Sequence, residues 1–361
     1  MRQVCTRCYT VVPDGTSWCK TSGCPAGTLS ILFDPGESIS EFNVLSTVQV
    51  FRTTALYRVQ RGRDKMLIKV AHRRCEELLK NEARLLSKIE HENLPKLLPA
   101  SSMHKDHAYE RTTIGDEMKY FMVMENAEGV FLPEYLEQRG RFTDQNAVWL
   151  ALQVADALVY LHRAQQILVR NLHGGGILLR IDPQTQVPRP LLLDLTLAGP
   201  AGQIQDDTLA QYGVQNTLAP EVLRKGAITE QTDVYGLGLL LYETLTGQPA
   251  YQGKLRDDAG IRQSVLSSPP RSLKEIRPEI DDRIAVAVTA TVRQNPQARQ
   301  QTIGTVGREL HKIFGDPPTV GKKRAPAGDS RRTVLIIGIG FLVVILVVLV
   351  LFLVLSIGAP K

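Results

Sequence analysis

The sequence predicts an α+β body, strands first and helices after, carried between a cysteine-rich unit at one end and an apolar helix at the other. Three observations carry that expectation. Residues 42–71 alternate apolar and polar side chains with β-branched enrichment. From residue 75 onward, apolar residues recur at helical spacing. Two close cysteine pairs precede the strands, and an uncharged apolar run follows the helices. With 361 residues, 43% hydrophobic and 22% charged, the chain has the composition of a folded domain of about 250 residues plus appendages.

The first element is the cysteine unit, residues 1–28. "CTRC" supplies Cys5 and Cys8, and "CKTSGC" supplies Cys19 and Cys24, with a turn-forming "PDG" between the pairs. Four thiolates gathered around a point form the tetrahedral all-sulfur set that structural zinc prefers. Disulfides or free thiols are the alternatives, and a reducing compartment argues against the first. So short a unit cannot build a core, so the ion would supply folding free energy that burial cannot. The unit resembles a zinc ribbon, although the second pair is spaced by four residues rather than two. Cys75 stands apart from this set and reads as structural.

Residues 29–41 read as a linker. "FNVLSTVQVFRTTALYRVQRGRDKMLIKVA", Phe42 to Ala71, predicts antiparallel strands with a turn at "RGRD". Leu78, Leu79, Glu82, Leu85, Leu86 and Ile89 then share a helical face ahead of a proline stop at Pro95. Two further helices are expected in "TDQNAVWLALQVADALVYLHRA", capped by Thr143, and in "TDVYGLGLLLYETLTG", ended by Gly247.

The last element is "VLIIGIGFLVVILVVLVLFLVL", Val334 to Leu355, without a charge or a proline. As a helix it extends about 33 Å, enough to cross a hydrocarbon core. The expectation is a transmembrane helix over 333–357, a basic juxtamembrane linker over 316–332 and a short tail over 358–361. Lys322, Lys323, Arg324, Arg331 and Arg332 precede the span, and only Lys361 follows it. The positive-inside bias therefore places the N-terminal body in the cytoplasm of a single-pass cell-membrane protein, and the N-terminus has no apolar run to act as a signal peptide. The same cluster carries most of the net charge of +6, leaving the body nearly balanced. That distribution argues against a nucleic-acid partner.

Between the ends, an ordered series of motifs resembles the bacterial serine/threonine protein kinases. It comprises Lys69 in "LIKVA", Glu82 on the first helix, a hinge-like "FMVMENAEG", and Asp194 in "LLLDLTLA". "TLAPEVL" with Glu221, Asp233 in "TDVYGLGLLLYETLTGQPAY", and Arg299 in "NPQARQ", matched to a partner of Glu221, complete it. The resemblance implies a bilobal protein kinase-like fold over 42–315, with an N-lobe over 42–126 and a C-lobe over 127–315. It also implies ATP and Mg²⁺ as cofactors, Lys69, Glu82 and Asp194 as nucleotide-binding residues, and Asp194 as a magnesium ligand.

Against that family the segment "ILVRNLHGGGILL" departs at the chemical positions. Val169 stands at the histidine, Arg170 keeps the arginine, and Asn171 stands at the catalytic aspartate. An amide accepts a hydrogen bond but cannot take the proton. His173 replaces a lysine, and Gly176, with no ligand atom, replaces the metal-binding asparagine. The phosphate-covering loop has no glycine between Gly36 and Gly62; Gln49, Phe51 and Arg52 occupy it. Val214 stands where a threonine would face the catalytic aspartate.

The sequence thus carries three functional readings. The first is a membrane-anchored pseudokinase, a signalling module meeting other proteins through its C-lobe surface or its ribbon. The second is an active atypical serine/threonine kinase built on Lys69, Glu82 and Asp194. The third, weaker, gives Arg7, Tyr9, Trp18 and Lys20 of the ribbon a nucleic-acid role. Equally open is whether Lys69, Glu82 and Asp194 bind nucleotide or serve architecture as an interlobe ion pair and a turn cap.

Overall fold

A computed structural model describes residues 2–21, 24, 27–114, 117–203, 207–252 and 257–318. All but Pro318 belong to one unit, Met1–Pro317. The expected transmembrane helix and tail, and nearly all of the juxtamembrane linker, lie outside the described residues. Among the described residues no helix is long and apolar enough to cross a membrane.

The chain opens with a three-stranded antiparallel sheet in the order β2-β1-β3, formed by β1 (Arg2–Cys5), β2 (Val11–Val12) and β3 (Leu29–Leu32). The expected linker over 29–41 is therefore corrected: β3 completes the cysteine unit by pairing with all of β1. Apolar side chains explain why. Val4, Leu32 and Phe33 are buried in one cluster with Phe42, Tyr57 and Phe121 of the next sheet, so the ribbon packs on its neighbour instead of hanging from a tether.

That neighbour is a seven-stranded sheet. Along it run β4 (Ser38–Ile39), β5 (Phe42–Val50), β6 (Thr54–Arg61) and β7 (Asp64–Ala71), the antiparallel series expected from the alternation. Helix α1 (Glu76–Leu86) crosses to β8 (Leu97–Leu98), β9 (Glu110–Ile114) and β10 (Glu117–Glu125), and β10 pairs with β7, β8 and β9. Helix α1 stops well before Pro95. Residues beyond it are drawn away to the helical half, where Asn93 Nδ2 donates to Pro190 O at 2.8 Å and Glu90 N to the Tyr160 hydroxyl at 3.2 Å.

The helical half begins with β11 (Val130–Phe131), α2 (Leu132–Arg139) and α3 (Asp144–Tyr160). Thr143 caps α3 by accepting from Asn146 N, as expected. Short strands β12 (Ile167–Leu168), β13 (Ile177–Ile181), β14 (Pro188–Leu192) and β15 (Gly199–Pro200) frame the segment between the lobes. Helices α4 (Thr208–Tyr212), α5 (Pro220–Leu223), α6 (Glu230–Thr246), α7 (Asp258–Ser267), α8 (Leu273–Ile276), α9 (Asp282–Thr291) and α10 (Ile303–Phe314) follow. Helix α6 is buried on nearly every face and ends on Gly247 at φ +77°, the left-handed conformation a Cβ disfavours. The arrangement is bilobal, with a cleft where β5, β6 and β7 face residues 167–197.

Candidate active-site cleft

Strand pairing and helix placement bring together the three residues expected to bind nucleotide. Lys69 on β7 and Glu82 on α1 are fully buried, with Lys69 Nζ 2.7 and 2.8 Å from the two carboxylate oxygens. Both partners lie in the strand lobe, which corrects the idea of an interlobe pair. The bond across the cleft is different: Lys69 Nζ donates to Leu193 O at 2.7 Å and lies 3.5 Å from Asp194 Oδ1. Glu82 in turn accepts from Leu195 N at 2.8 Å. The pair thus clasps the Asp194 segment through backbone groups.

Asp194 has its own partners. Thr196 Oγ1 donates to its Oδ1 at 2.6 Å, and His173 Nε2 lies 3.2 Å from Oδ2. Burial alone would raise its pKa, but the Lys69 charge, His173 and Thr196 outweigh that and hold the carboxyl well below the usual range. His173 also explains the glycine at 176. A Cβ built on Gly176 would sit 3.1 Å from Asp194 Cβ and 3.3 Å from His173 Nε2. A side chain at 176 would thus press on the imidazole and on Asp194, each of which would have to give by a few tenths of an ångström.

Asn171 is locked by both ends of its amide. Its Oδ1 accepts from Val214 N at 2.8 Å, while Nδ2 donates to Thr217 Oγ1 at 3.0 Å and Val214 O at 3.4 Å. Thr217 was missed in the sequence, since only its neighbour Val214 stood at a recognised position. Arg170 has a left-handed backbone at φ +67°, and its guanidinium bonds Pro200 O. That conformation is fixed by Asp233 on α6, which accepts from Val169 N at 2.8 Å and Arg170 N at 2.7 Å. His162 Nε2 joins the same carboxylate at 2.7 Å. Glu221 and Arg299 form the expected pair, bidentate at 2.8 and 2.9 Å.

The glycine-free loop between β5 and β6 folds into the cleft. Phe51 is 3% exposed, stacks edge-on against Phe131, and places its ring 5.0 Å beneath Lys69 Nζ. It belongs to one apolar cluster with Leu56, Met122 and Met124. Gln49 Nε2 donates to Gly175 O at 3.3 Å, and Thr53 and Thr196 share a hydroxyl bond at 2.9 Å. At the hinge-like segment, Arg58 donates to Ala127 O at 3.2 Å. What remains open is a cavity of about 560 Å³ whose walls include Tyr9, Arg52, Asn171, His173, Asp194 and Glu243.

The ribbon reaches this cavity. Cys5, Cys8 and Cys19 are buried and Cys24 half-buried, with all four sulfurs within 4.8 Å of one another and Cys8 Sγ 3.6 Å from Cys19 Sγ. A tetrahedral ion with Zn–S bonds of about 2.3 Å separates its sulfurs by about 3.8 Å, so the set fits zinc. Burial would raise the Cys8 thiol, but hydrogen bonding to Thr10 and the neighbouring sulfurs outweighs it and lowers that thiol, while burial and the neighbouring sulfurs raise Cys24, so the four cysteines share their protons as one set. From the turn inside the first cysteine pair, between Cys5 and Cys8, Arg7 binds Asp258 at 2.8 Å and donates to Gln211 O at 3.1 Å. Arg52 grips the same Asp258 carboxylate with two bonds of 3.1 Å.

Comparison with known proteins decides the family. The protein kinase domain family matches residues 53–305. This chain belongs to it. Similar curated proteins include the cAMP-dependent protein kinase catalytic subunit PRKX of Mus musculus, 29% identical over 240 residues, 64% of this chain and 61% of that one. The serine/threonine-protein kinase PrkC of Bacillus subtilis is 25% identical over 62% of this chain and 34% of its own. PknB of Mycobacterium tuberculosis is 26% identical over 60% and 33%. The matched region spans between a third and about three fifths of these relatives. A kinase domain implies ATP and Mg²⁺ in general. At Gly176 this chain offers no side-chain ligand atom, and a Cβ added there would need Asp194 or His173 to give by a few tenths of an ångström.

Proposed function

We propose that this kinase-family chain is a membrane-anchored pseudokinase: a signalling module that holds the kinase shape to bind other proteins, through its C-lobe surface or its ribbon, and transfers no phosphate. The observation that carries the reading is that the catalytic-loop and metal-aspartate positions are each held by neighbouring side-chain and backbone groups. Asn171 is bound to Val214 and Thr217, and Asp194 to His173 and Thr196. A phosphoryl-transfer site needs the catalytic-loop acid free for the substrate hydroxyl and the aspartate free for metal, beside an intact lysine–glutamate pair, and needs a loop that leaves space beside the lysine for phosphate. Here Phe51 lies there. The apolar segment 334–355 and its basic flank support anchoring with the body in the cytoplasm. A structural zinc ion in the Cys5, Cys8, Cys19 and Cys24 set belongs to the same reading.

The second reading, an atypical active kinase, is favoured by the survival of Lys69, Glu82 and Asp194 in mutual contact. Incubation with labelled ATP, Mg²⁺ or Mn²⁺ and generic substrates separates the two. The pseudokinase reading expects no transfer above the Asp194→Ala background. Turnover that Asp194→Ala abolishes would overturn it.

A further inference from the structure

Far along the chain from the ribbon, a second set of metal-type ligands meets. Between β8 and β9 the segment "HKDH" forms a turn in which His107 N donates to His104 O at 3.3 Å, placing the two imidazoles on one side. Their rings stack at 4.9 Å with 16° between planes. Both turn Nδ1 toward one oxygen of Glu110, His104 at 3.2 Å and His107 at 2.9 Å. Glu110 opens β9, whose pairing with β10 fixes it, and its side chain is 19% exposed, against 56% and 58% for the imidazoles. The three ligand atoms all lie within 4.8 Å of one another.

We propose that His104, His107 and Glu110 form a second metal site, taking a divalent borderline cation of the zinc class through two imidazole nitrogens and one carboxylate oxygen. The spacing supports it. Bonds of about 2.0–2.1 Å in a tetrahedral set separate ligand atoms by about 3.3 Å, so the observed nitrogen–oxygen distances need to open by only a few tenths of an ångström. The ligand chemistry supports it as well, since imidazole and carboxylate together suit zinc and its neighbours rather than magnesium or calcium. Two stacked imidazoles converging on one carboxylate oxygen leave that oxygen crowded with donors, and a cation replaces two competing N–H bonds with two coordinate bonds. The fourth position faces solvent and takes water. Binding would fasten the turn to the sheet edge, and it involves neither the ribbon nor the cleft.

The test uses the full chain in detergent, stripped of metal and titrated with Zn²⁺ against a chromophoric chelator. Two equivalents are expected, a tight one and a weaker one. The double variant H104A/H107A should keep the tight equivalent and lose the weaker, whereas Cys5→Ser with Cys8→Ser should do the reverse. Glu110→Gln should weaken the second equivalent by more than the about tenfold that outer-shell changes cost. Cobalt adds a signature: thiolate charge-transfer absorption should persist in H104A/H107A while the second, sulfur-free spectrum disappears. A single equivalent in the parent chain would overturn the proposal and leave only carboxylate–imidazole hydrogen bonds. A second equivalent that survives H104A/H107A would overturn it too.

Discussion

The ribbon and the cleft each gather metal-type ligands, and they treat them in opposite ways. In the ribbon, four sulfurs from two chain segments point at one another, with the Cys8–Cys19 contact at 3.6 Å. In the cleft, Asp194 already holds Thr196 and His173, and the position opposite it is a glycine backed by the same imidazole. The sulfurs converge on one point, with the Thr10 and Thr28 hydroxyls at their edge, whereas the cleft carboxylate is tied to neighbouring side chains. Retained residue types therefore do not establish retained chemistry; what decides is whether their polar atoms converge on one point or are spent on neighbouring side chains.

The largest expected effect tests the ribbon side. Removing its metal by chelation, or replacing Cys8 with Ser, should unfold β1 to β3, because structural zinc supplies about 10–16 kcal/mol in isolated finger peptides. Hydrogen exchange should rise at Val4 and across β3 while α6 stays protected. Protection unchanged after verified metal loss would mean that Val4, Leu32 and Phe33 hold the ribbon by packing alone.

On the cleft side, Lys69→Met should cost about 3–5 kcal/mol, since it strands Glu82 as an unpaired buried carboxylate. Denaturant unfolding measures this directly. A loss below about 1 kcal/mol would show that the pair is solvated in solution and available to a nucleotide. Repair should fail for a related reason. Asn171→Asp replaces the donating Nδ2, 3.4 Å from Val214 O, with an oxygen that the carbonyl repels. Gly176→Asn must displace His173 or Asp194, at about 1–3 kcal/mol for overpacking. The double variant is expected to show no phosphate transfer; measurable transfer would mean that the cross-bonds rearrange easily.

Much of this was legible beforehand, for reasons that differ by residue. Strands β5 to β7 follow from alternation, and the caps at Thr143 and Gly247 from local chemistry. Asn171 and Gly176 were visible as departures because the surrounding motifs fixed their positions. The ribbon's third strand was not, since Leu29–Leu32 is too short to show a period and pairs with β1 across 24 to 30 residues of sequence. Nor was the burial of Phe51, which depends on where Lys69 and Phe131 arrive in space. The end of α1 was missed because contacts with Pro190 and Tyr160 drew the chain off the helix axis.

Glu243 gives a pH test of how closed the cleft is. Burial raises its pKa from the usual 4.5 to about 7. A folded value above the unfolded one means that its contribution is fully present below about 4.5 and is lost as pH rises through about 7. Glu243→Gln should therefore leave stability near pH 4.5 almost unchanged. At pH 8 it should gain on the order of 2–3 kcal/mol over the parent. Equal effects at both pH values would mean that water reaches the carboxylate freely.

The smallest expected effect asks whether the two regions are coupled at all. Asp258 on α7 receives Arg52 from the loop that covers the cleft and Arg7 from the ribbon's cysteine loop, and these contacts connect the ribbon, the strand lobe and the helical lobe. Arg7 also bonds Gln211 O on α4, so the ribbon touches the helical lobe at two points. Charge-assisted bonds of this kind, half-shielded from solvent, contribute about 1 kcal/mol once screening is counted. Asp258→Asn should lower global stability by about that much. The more telling readout is local: exchange at residues 49–53 should rise in Asp258→Asn and rise equally when the ribbon's metal is removed from the parent chain. Removing the metal from the Asp258→Asn variant should then add nothing further. If it adds the full increment instead, the ribbon influences the cleft by a route other than Arg7, and the packing of Val4 and Phe33 on the strand lobe becomes the connection to examine.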